Sequence, residues 1–255
     1  MVNRKVKDLL DRKAAQYNHI DFIAADPVSI PHRFSKKEDI EISGFFAAIF
    51  AWGNRNTIIR KANSLFNLMD DAPHDFILQC RDKDLKRFSG FCHRTFNTTD
   101  LLYFIRFLKQ HYRKEVSLET AFFHAGEATS VEEGLNYFRK DFFSLQQAPL
   151  RTRKHISAPQ LNSSCKRLNM YLRWMLRHDE HGVDFGLWKS IAPSDLICPL
   201  DVHVVRVANH LGLLQRKSVD WTAALQLTDV LKTFDPADPV KYDFALFGMG
   251  VNRDF

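Results

Sequence analysis

The sequence predicts an all-α protein, and three observations support that fold class. Apolar residues recur at three- and four-residue intervals through most of the 255 residues. Only 10 glycines and 9 prolines interrupt these patterns, and strand-like alternation of apolar and polar residues is scarce. Residues that favour helix ends lie where the apolar patterns begin and stop, so the patterns divide into separate helices.

The first half of the chain is predicted to form successive helices with recognisable starts. Val6, Leu9 and Leu10 have helical spacing and indicate a first helix. Ser35-Lys-Lys-Glu38 is typical of a capping box, and we expect the apolar helix after it to run to about Trp52. Further helices are predicted over residues 57–69, from Pro73, over residues 101–112 after Asn97-Thr-Thr-Asp100, and after Ser130-Val-Glu-Glu133.

The second half begins with a polar connector over residues 149–161, and more helices follow. We predict a mostly irregular segment over residues 178–199, with one helical turn near Trp188. Most of the 22 phenylalanines in the whole chain have helical spacing, and we expect those to pack in the core. The helices are predicted over residues 165–177, residues 201–211 before Gly212, residues 220–234, and after Asp238-Pro239.

Composition narrows the classes of function. The 36 basic and 30 acidic residues give a formal charge of +6, which favours a polyanionic partner such as nucleic acid, although many basic enzymes never touch DNA. The 4 cysteines form no Cys-x-x-Cys pair, and His178-Asp-Glu-His181 is interpreted as a polar loop, so we expect no metal and no cofactor. With no secretory pattern and no membrane-spanning apolar run, the chain is predicted to be a cytoplasmic monomer that does not engage membranes.

Two segments carry the candidate chemistry. Lys166 lies in the first turn of a helix that follows short polar residues, where backbone N–H groups bind phosphate oxygens. A solvated surface lysine is the alternative. Asp201 opens the helix that carries Val204, Val205 and Ala208 on one face, so it is placed to cap that helix. A cap without a catalytic role is the alternative there.

Three motifs resemble the endonuclease III and 8-oxoguanine glycosylase superfamily, which has a helix–hairpin–helix fold. Leu200-Asp-Val-His203-Val-Val-Arg206 is similar to the superfamily's stretch around an essential aspartate, and Ser164-Cys-Lys166-Arg-Leu-Asn169 is similar to its hairpin-to-helix junction with a nucleophilic lysine. Gly44-Phe-Phe-Ala-Ala-Ile-Phe-Ala-Trp52-Gly-Asn54 resembles the helix before its DNA-inserting loop. The usual Leu-Pro-Gly-x-Gly hairpin is replaced by Leu161-Asn-Ser-Ser-Cys165, and 35 residues separate Lys166 from Asp201. Both departures resemble archaeal 8-oxoguanine glycosylases.

The resemblance implies a fold, a reaction and a set of site residues. It implies two helical lobes with a central cleft, one lobe near residues 45–175 and the other from residues 1–44 and 176–255. It also implies a nucleoid-associated DNA glycosylase and AP lyase that acts on duplex DNA with a damaged base, with an oxidised purine favoured, through the nucleophile Lys166 and the carboxylate Asp201. The candidates for the base pocket are Trp52, Asn54, His93, Asn169, Trp174 and His203. The candidates for DNA-backbone contacts are Ser163, Ser164, Arg167, Arg94, Arg151, Arg153 and Lys154.

Other readings stay open at this point. Asp26-Pro27, Cys165-Lys-Arg-Leu-Asn-Met170 and Asp243-Phe-Ala-Leu-Phe247 resemble an uncharacterised bacterial family placed near these glycosylases. The altered hairpin favours a non-catalytic DNA-binding protein on the same scaffold, because a poor grip on phosphate would compromise a glycosylase. A helical interaction protein with no nucleic-acid partner is the third hypothesis.

Overall fold

A computed structural model describes residues 4–124 and 129–255. Helix dominates these residues, and the predicted all-α class is confirmed. One pair of two-residue antiparallel strands was not predicted, because strands so short leave no alternation to detect. The elements in chain order are α1 (Arg4–Tyr17), α2 (Asp21–Ala24), α3 (Lys37–Phe50), α4 (Arg55–Asn67), α5 (Pro73–Gln79), α6 (Asp82–Leu85), β1 (Cys92–His93), β2 (Phe96–Asn97), α7 (Thr98–Tyr112), α8 (Val131–Phe142), α9 (Lys166–Leu176), α10 (Val202–His210), α11 (Trp221–Phe234) and α12 (Tyr242–Asn252).

The chain divides into two compact units. The first unit takes its described residues from Met1–Ala24, Ser130–Glu132 and Ala158–Phe255, and the second unit from Ala25–Thr129 and Glu133–Ser157. Residues 25–44 therefore group with the second unit, and residues 158–175 group with the first, whereas the resemblance implied the reverse for both stretches. The reason lies in the packing of two helices, since α3 packs on α4 and α5, and α9 is buried along almost its whole length beside residues 183–200.

Polar side chains cap several helices at the starts that the sequence predicted. Asn97 caps α7 and forms a reciprocal capping box with Asp100, and Asp201 and Asp220 cap α10 and α11. The capping box predicted at Ser35 is wrong, because α3 begins one residue later than that box requires. Lys36 occupies the N-cap position and supplies no side-chain bond. The α3 start is stabilised instead by acidic residues in its first turn.

Two local predictions in the second half also need correction. The helical turn predicted near Trp188 is absent, and the short 3₁₀ turn of this segment lies at Pro193–Asp195. Trp188 lies outside any helix and is fully buried, in an edge contact with Tyr171. After Asp238 the chain first makes a 3₁₀ turn, Pro239–Lys241, before α12 begins.

Phenylalanine rings fill the core of the second unit, as predicted. Phe45 on α3 stacks on Phe104 of α7, and their ring centroids are 5.6 Å apart. Phe138 and Phe142 of α8 close the cluster through edge contacts with Phe45. These four side chains are completely buried, so the cluster joins three helices and contributes about 2–3 kcal/mol for each ring removed from water.

A buried carboxylate joins the connector after α8 to α7 in the same unit. Asp100 accepts hydrogen bonds from the Asn97 backbone (2.9 Å) and from the Thr152 hydroxyl (2.7 Å), and it also pairs with Arg151 and His155. Burial alone would raise the pKa of Asp100, but the hydrogen bonds from His155, the Asn97 amide and Thr152 outweigh it and hold that pKa at about 2.

Acid is expected to remove this contribution to stability. Because the folded-state pKa of Asp100 is depressed below 3.8, its contribution of about 1–2 kcal/mol is present above about pH 4 and is lost as the pH falls towards 2. Urea unfolding at pH 6, 4 and 3 measures this loss. The difference in unfolding free energy between the wild type and Asp100→Asn should narrow as the pH falls, and a constant difference would contradict the assignment.

Among the described residues, no helix combines the length and the apolar character that crossing a bilayer requires.

Candidate active site

Lys166 and Asp201 meet within the first unit. The Lys166 Nζ atom lies 3.7 Å from the Asp201 Oδ2 atom, although 35 residues separate the two in sequence. Their side chains are 21% and 23% exposed, so both reach solvent from a partly enclosed position. An amine and a carboxylate held this way can perform covalent chemistry at a carbonyl-like carbon and move protons beside it.

The turn before α9 places Lys166 at the helix start. Asn162 and Cys165 both adopt left-handed backbone conformations, with φ angles of 52° and 50°. Both lie in the short segment between the 3₁₀ turn Pro159–Leu161 and α9. The Ser164 hydroxyl, which is buried, donates a 3.0 Å hydrogen bond to the Leu200 carbonyl. That bond ties the lysine's turn directly to the residue before Asp201.

The two carboxylate oxygens of Asp201 have different partners. Its Oδ1 atom accepts hydrogen bonds from the backbone of His203 (2.9 Å) and Val204 (3.0 Å), which caps α10, while its Oδ2 atom faces Lys166. Further along α10, Arg206 donates a 2.7 Å bond to the Gly250 carbonyl of α12, which holds the helix in place.

Residues 178–200 pack along α9, and they connect that helix to Asp201, which lies beside Lys166. The Phe185 and Trp188 amides donate to the Trp174 and Met175 carbonyls at the end of α9. Asp184 is completely buried and pairs with Arg173 of α9 (3.3 Å) and with Arg177, the residue directly after α9 (2.9 Å). These backbone bonds and ion pairs fix the segment that joins the two site residues.

We expect Asp184→Asn to destabilise the fold by about 3 kcal/mol or more, because it leaves two buried guanidinium groups short of counter-charge. Urea unfolding followed by tryptophan fluorescence would measure the loss. Asp229→Asn is the matched control, since Asp229 is exposed on α11 of the same unit and should change the unfolding free energy by less than about 0.5 kcal/mol. Equal effects of the two substitutions would contradict this anchoring role.

Helix α12 supplies two neighbours of Lys166 that the sequence did not assign to the site. The Lys166 Nζ atom lies 5.5 Å from the centroid of the Phe247 ring, and Asp243, one turn earlier, pairs with Arg173 of α9. Burial raises the pKa of Asp243 to about 6, against the opposing charges of Arg173 and Lys166. The signal in the sequence is the motif Asp243-Phe-Ala-Leu-Phe247, which puts an acid and an aromatic ring on one face of an apolar helix.

Comparison with known proteins places the chain in a family. A family model described as protein of unknown function (DUF2400) matches residues 26–252. The chain belongs to the DUF2400 family. No curated protein and no solved structure matches it. The match spans Lys166, Asp201 and Asp243, so the whole candidate site lies inside the part of the chain that defines DUF2400.

The remaining candidates in the first unit of this DUF2400 protein differ in access. His203 is exposed on α10, whereas Asn169 and Trp174 are buried in the core and present no open face to a base. The reason is that α9 is buried on nearly all sides, so its polar side chains are enclosed with its apolar ones. Arg167 is half-buried, and burial lowers its pKa. Ser163 forms a backbone bridge with Asp220.

The candidates Trp52, Asn54, His93 and Arg94 lie together in the second unit. The Arg94 guanidinium lies 4.3 Å from the centroid of the half-buried Trp52 ring, and Asn54 caps α4. His93 is buried, donates to the Phe50 carbonyl at 3.0 Å, and has a pKa that burial lowers. Gly53 between them has a φ of 103°, a backbone conformation that favours glycine, and a Cβ there would lie 2.4 Å from the guanidinium end of the Arg94 side chain. The accessible parts of this group are therefore the exposed Arg94, which lies over the indole, and the exposed Asn54.

The basic connector of the second unit is only partly available to a ligand. Arg151 donates hydrogen bonds to Asp100, Asn97 and the Thr95 carbonyl, so its guanidinium is already bonded within the protein. Arg153 and Lys154 are exposed. Among the described residues, no group of three or more histidine, cysteine, aspartate or glutamate side chains is placed to hold a metal ion.

Proposed function

We propose that this protein is a DNA base-excision glycosylase with AP lyase activity, built on a helix–hairpin–helix type of scaffold. The observation that carries the proposal is the 3.7 Å distance between the Lys166 Nζ atom and the Asp201 Oδ2 atom. Both side chains are partly exposed, and both lie on segments that hydrogen bonds and ion pairs hold in place. The base it removes is proposed to be an oxidised purine. The substrate class is double-stranded DNA, which a chain with a formal charge of +6 attracts.

The chemistry follows from an amine and a carboxylate beside one sugar. The neutral Lys166 amine attacks C1′, the bond from C1′ to the base breaks, and the base leaves with the electron pair and takes up a proton. Opening of the C1′–O4′ bond then gives an imine, and loss of a proton from C2′ expels the 3′ phosphate. Asp201 stabilises the positive charge that develops on the sugar as the base departs.

The surroundings of the pair support this role. Lys166 is the first residue of α9, and a tight turn with two left-handed residues comes directly before it. A short 3₁₀ turn precedes that turn, so the elements follow the order of a helix–hairpin–helix motif. The N-cap residue of α9, Cys165, makes no side-chain cap hydrogen bond, and the dipole of a helix N-terminus favours an anion such as a phosphate group. The stacked Trp52 and Arg94 side chains of the second unit offer an aromatic surface and a positive charge to nucleic acid.

Borohydride trapping tests the proposal directly. The wild-type protein is incubated with duplex DNA that contains 8-oxoguanine, with an abasic-site duplex and with an undamaged duplex, in the presence of sodium borohydride. A covalent protein–DNA adduct on the damaged duplexes, mapped to the peptide that contains Lys166, is the expected result. No adduct on either damaged duplex, or an adduct mapped to another amine, would refute the lyase assignment.

A non-catalytic DNA-binding protein is the second candidate, and one feature of the site favours it. The Lys166 ammonium already faces a carboxylate and an aromatic ring, an arrangement suited to a charged group with a fixed structural role. This candidate predicts duplex binding at low salt without base release from any lesion. It also predicts that binding survives Asp201→Asn.

A further inference from the structure

Ser164 and Asn169 are enclosed in the first unit, although their residue types suit contacts with DNA. Their exposed fractions are 7% and 1%, and their polar groups bond within the protein. The Asn169 Nδ2 atom donates to the Ser164 carbonyl at 3.0 Å, and the Ser164 Oγ atom donates to the Leu200 carbonyl at 3.0 Å. The two bonds form a continuous connection from α9, through the turn before it, to the residue that precedes Asp201.

The turn that these bonds hold is strained at the residue before Lys166. Cys165 has a φ of 50°, a left-handed conformation that is unfavourable for a residue with a Cβ atom, so surrounding contacts must maintain it. The Ser163 hydroxyl accepts a 3.2 Å hydrogen bond from the Cys165 amide, and Ser164 is bonded through both its hydroxyl and its carbonyl. The backbone position of Lys166 therefore depends on the bonds made by its neighbours in the turn.

We propose that Ser164 and Asn169 are positioning residues, which hold the Lys166 amine opposite the Asp201 carboxylate. The proposal rests on the function proposed above, because it concerns the same pair. Both residues act through the backbone, since Asn169 fixes the turn that carries Lys166 and Ser164 fixes that turn to the segment that carries Asp201. Without these bonds the strained turn relaxes, and the 3.7 Å separation of the pair is no longer maintained.

Zero-length crosslinking measures this separation without DNA. A carbodiimide activates the Asp201 carboxylate, the Lys166 amine attacks the activated carbon, and an amide forms while the reagent departs as a urea with the displaced oxygen. The Lys241–Asp235 pair of the same unit is an internal reference, because it is 2.6 Å apart and its side chains are 27% and 26% exposed. Mass spectrometry gives the yields of both crosslinks. We expect Ser164→Ala to lower the Lys166–Asp201 yield about five- to tenfold relative to the reference.

Asn169→Leu is a second variant, so that the test does not depend on the folding of one protein. It removes the amide donor to the Ser164 carbonyl, and the crosslink ratio should fall in the same direction. Asn209→Leu is its matched control, because Asn209 on α10 also donates from Nδ2 to a backbone carbonyl at 3.0 Å, that of Arg216, and its loss should leave the ratio unchanged. An unchanged ratio in Ser164→Ala or Asn169→Leu, or an equal fall of both crosslinks, would overturn the proposal in favour of a purely structural role.

The trapping assay supplies a catalytic measurement of the same variant. Ser164→Ala should form the adduct on an abasic-site duplex about ten- to a hundredfold more slowly at saturating protein, with a Kd for the duplex within about twofold of wild type. A weaker Kd with an unchanged saturating rate would show that Ser164 serves DNA binding, and the positioning role would be wrong. The crosslinks require no lyase activity, so the absence of an adduct in wild type and the failure of this inference are separate results.

Discussion

Lys166→Ala is expected to abolish the borohydride-trapped adduct, with a fall of at least about a hundredfold relative to wild type. The reason is that the imine requires an amine at C1′, and the alanine side chain supplies none. Lys166 Nζ is the amine that lies beside Asp201 in the first unit. The measurement is the rate of adduct formation on an abasic-site duplex, followed on a denaturing gel under single-turnover conditions.

Two matched variants separate loss of the nucleophile from loss of charge or fold. Lys166→Arg keeps a positive charge but cannot form the imine, so it should bind the duplex as the wild type does and still give no adduct. Lys5→Ala removes an exposed lysine from α1 and should keep the wild-type rate. An adduct that persists in Lys166→Ala, or one that Lys166→Arg forms at the wild-type rate, would show that another amine reacts.

The helix starts were predictable because their signals are local. Asn97, Asp201 and Asp220 each accept a backbone hydrogen bond from two or three residues further on, and such caps can be recognised in a short stretch of sequence. The Ser35 box failed by one residue, since α3 begins at Lys37 and Lys36 takes the N-cap position without a side-chain bond. Local chemistry identifies a boundary to within a residue or two.

The meeting of Lys166 with Asp201 was expected from resemblance, but its physical basis is not local. It depends on Asp184, which is 17 residues before Asp201 and pairs with Arg173 of α9 and with Arg177 directly after that helix. No periodicity reveals which buried acid will pair with which buried base. The contact of Asp243 with α9 was hidden in the same way, because its ion pair with Arg173 spans 70 residues.

Burial of polar side chains explains where the residue assignments and the structure diverge. Trp174 and Asn169 have types suited to base recognition, yet α9 is enclosed on almost every side, so the helix buries them. Arg151 was predicted to contact a DNA phosphate, but its guanidinium pairs with Asp100 instead, because a buried carboxylate needs a positive charge beside it. A sequence shows which residues are able to bind DNA, while the fold decides which of them remain accessible.

Asp201→Asn should slow base release about 10²- to 10³-fold with little change in stability. Asparagine caps a helix about as well as aspartate, so α10 should remain anchored through the bonds to the His203 and Val204 amides. The negative charge beside Lys166 is nevertheless lost, and with it the stabilisation of positive charge on the sugar. Single-turnover release of 8-oxoguanine, measured together with the melting temperature, tests both halves of this expectation.

Asp220→Asn is the matched control for that experiment, because Asp220 caps α11 in the same unit through a 2.8 Å bond from the Ala223 amide. It removes a helix-capping carboxylate whose basic partner is Arg216 rather than Lys166, and base release should stay within about twofold of wild type. Affinity for the damaged duplex should not fall in Asp201→Asn, since loss of a negative charge does not weaken contacts with phosphate. If Asp201→Asn and wild type release the base at equal rates, the carboxylate is a helix cap alone and the glycosylase mechanism proposed here is wrong.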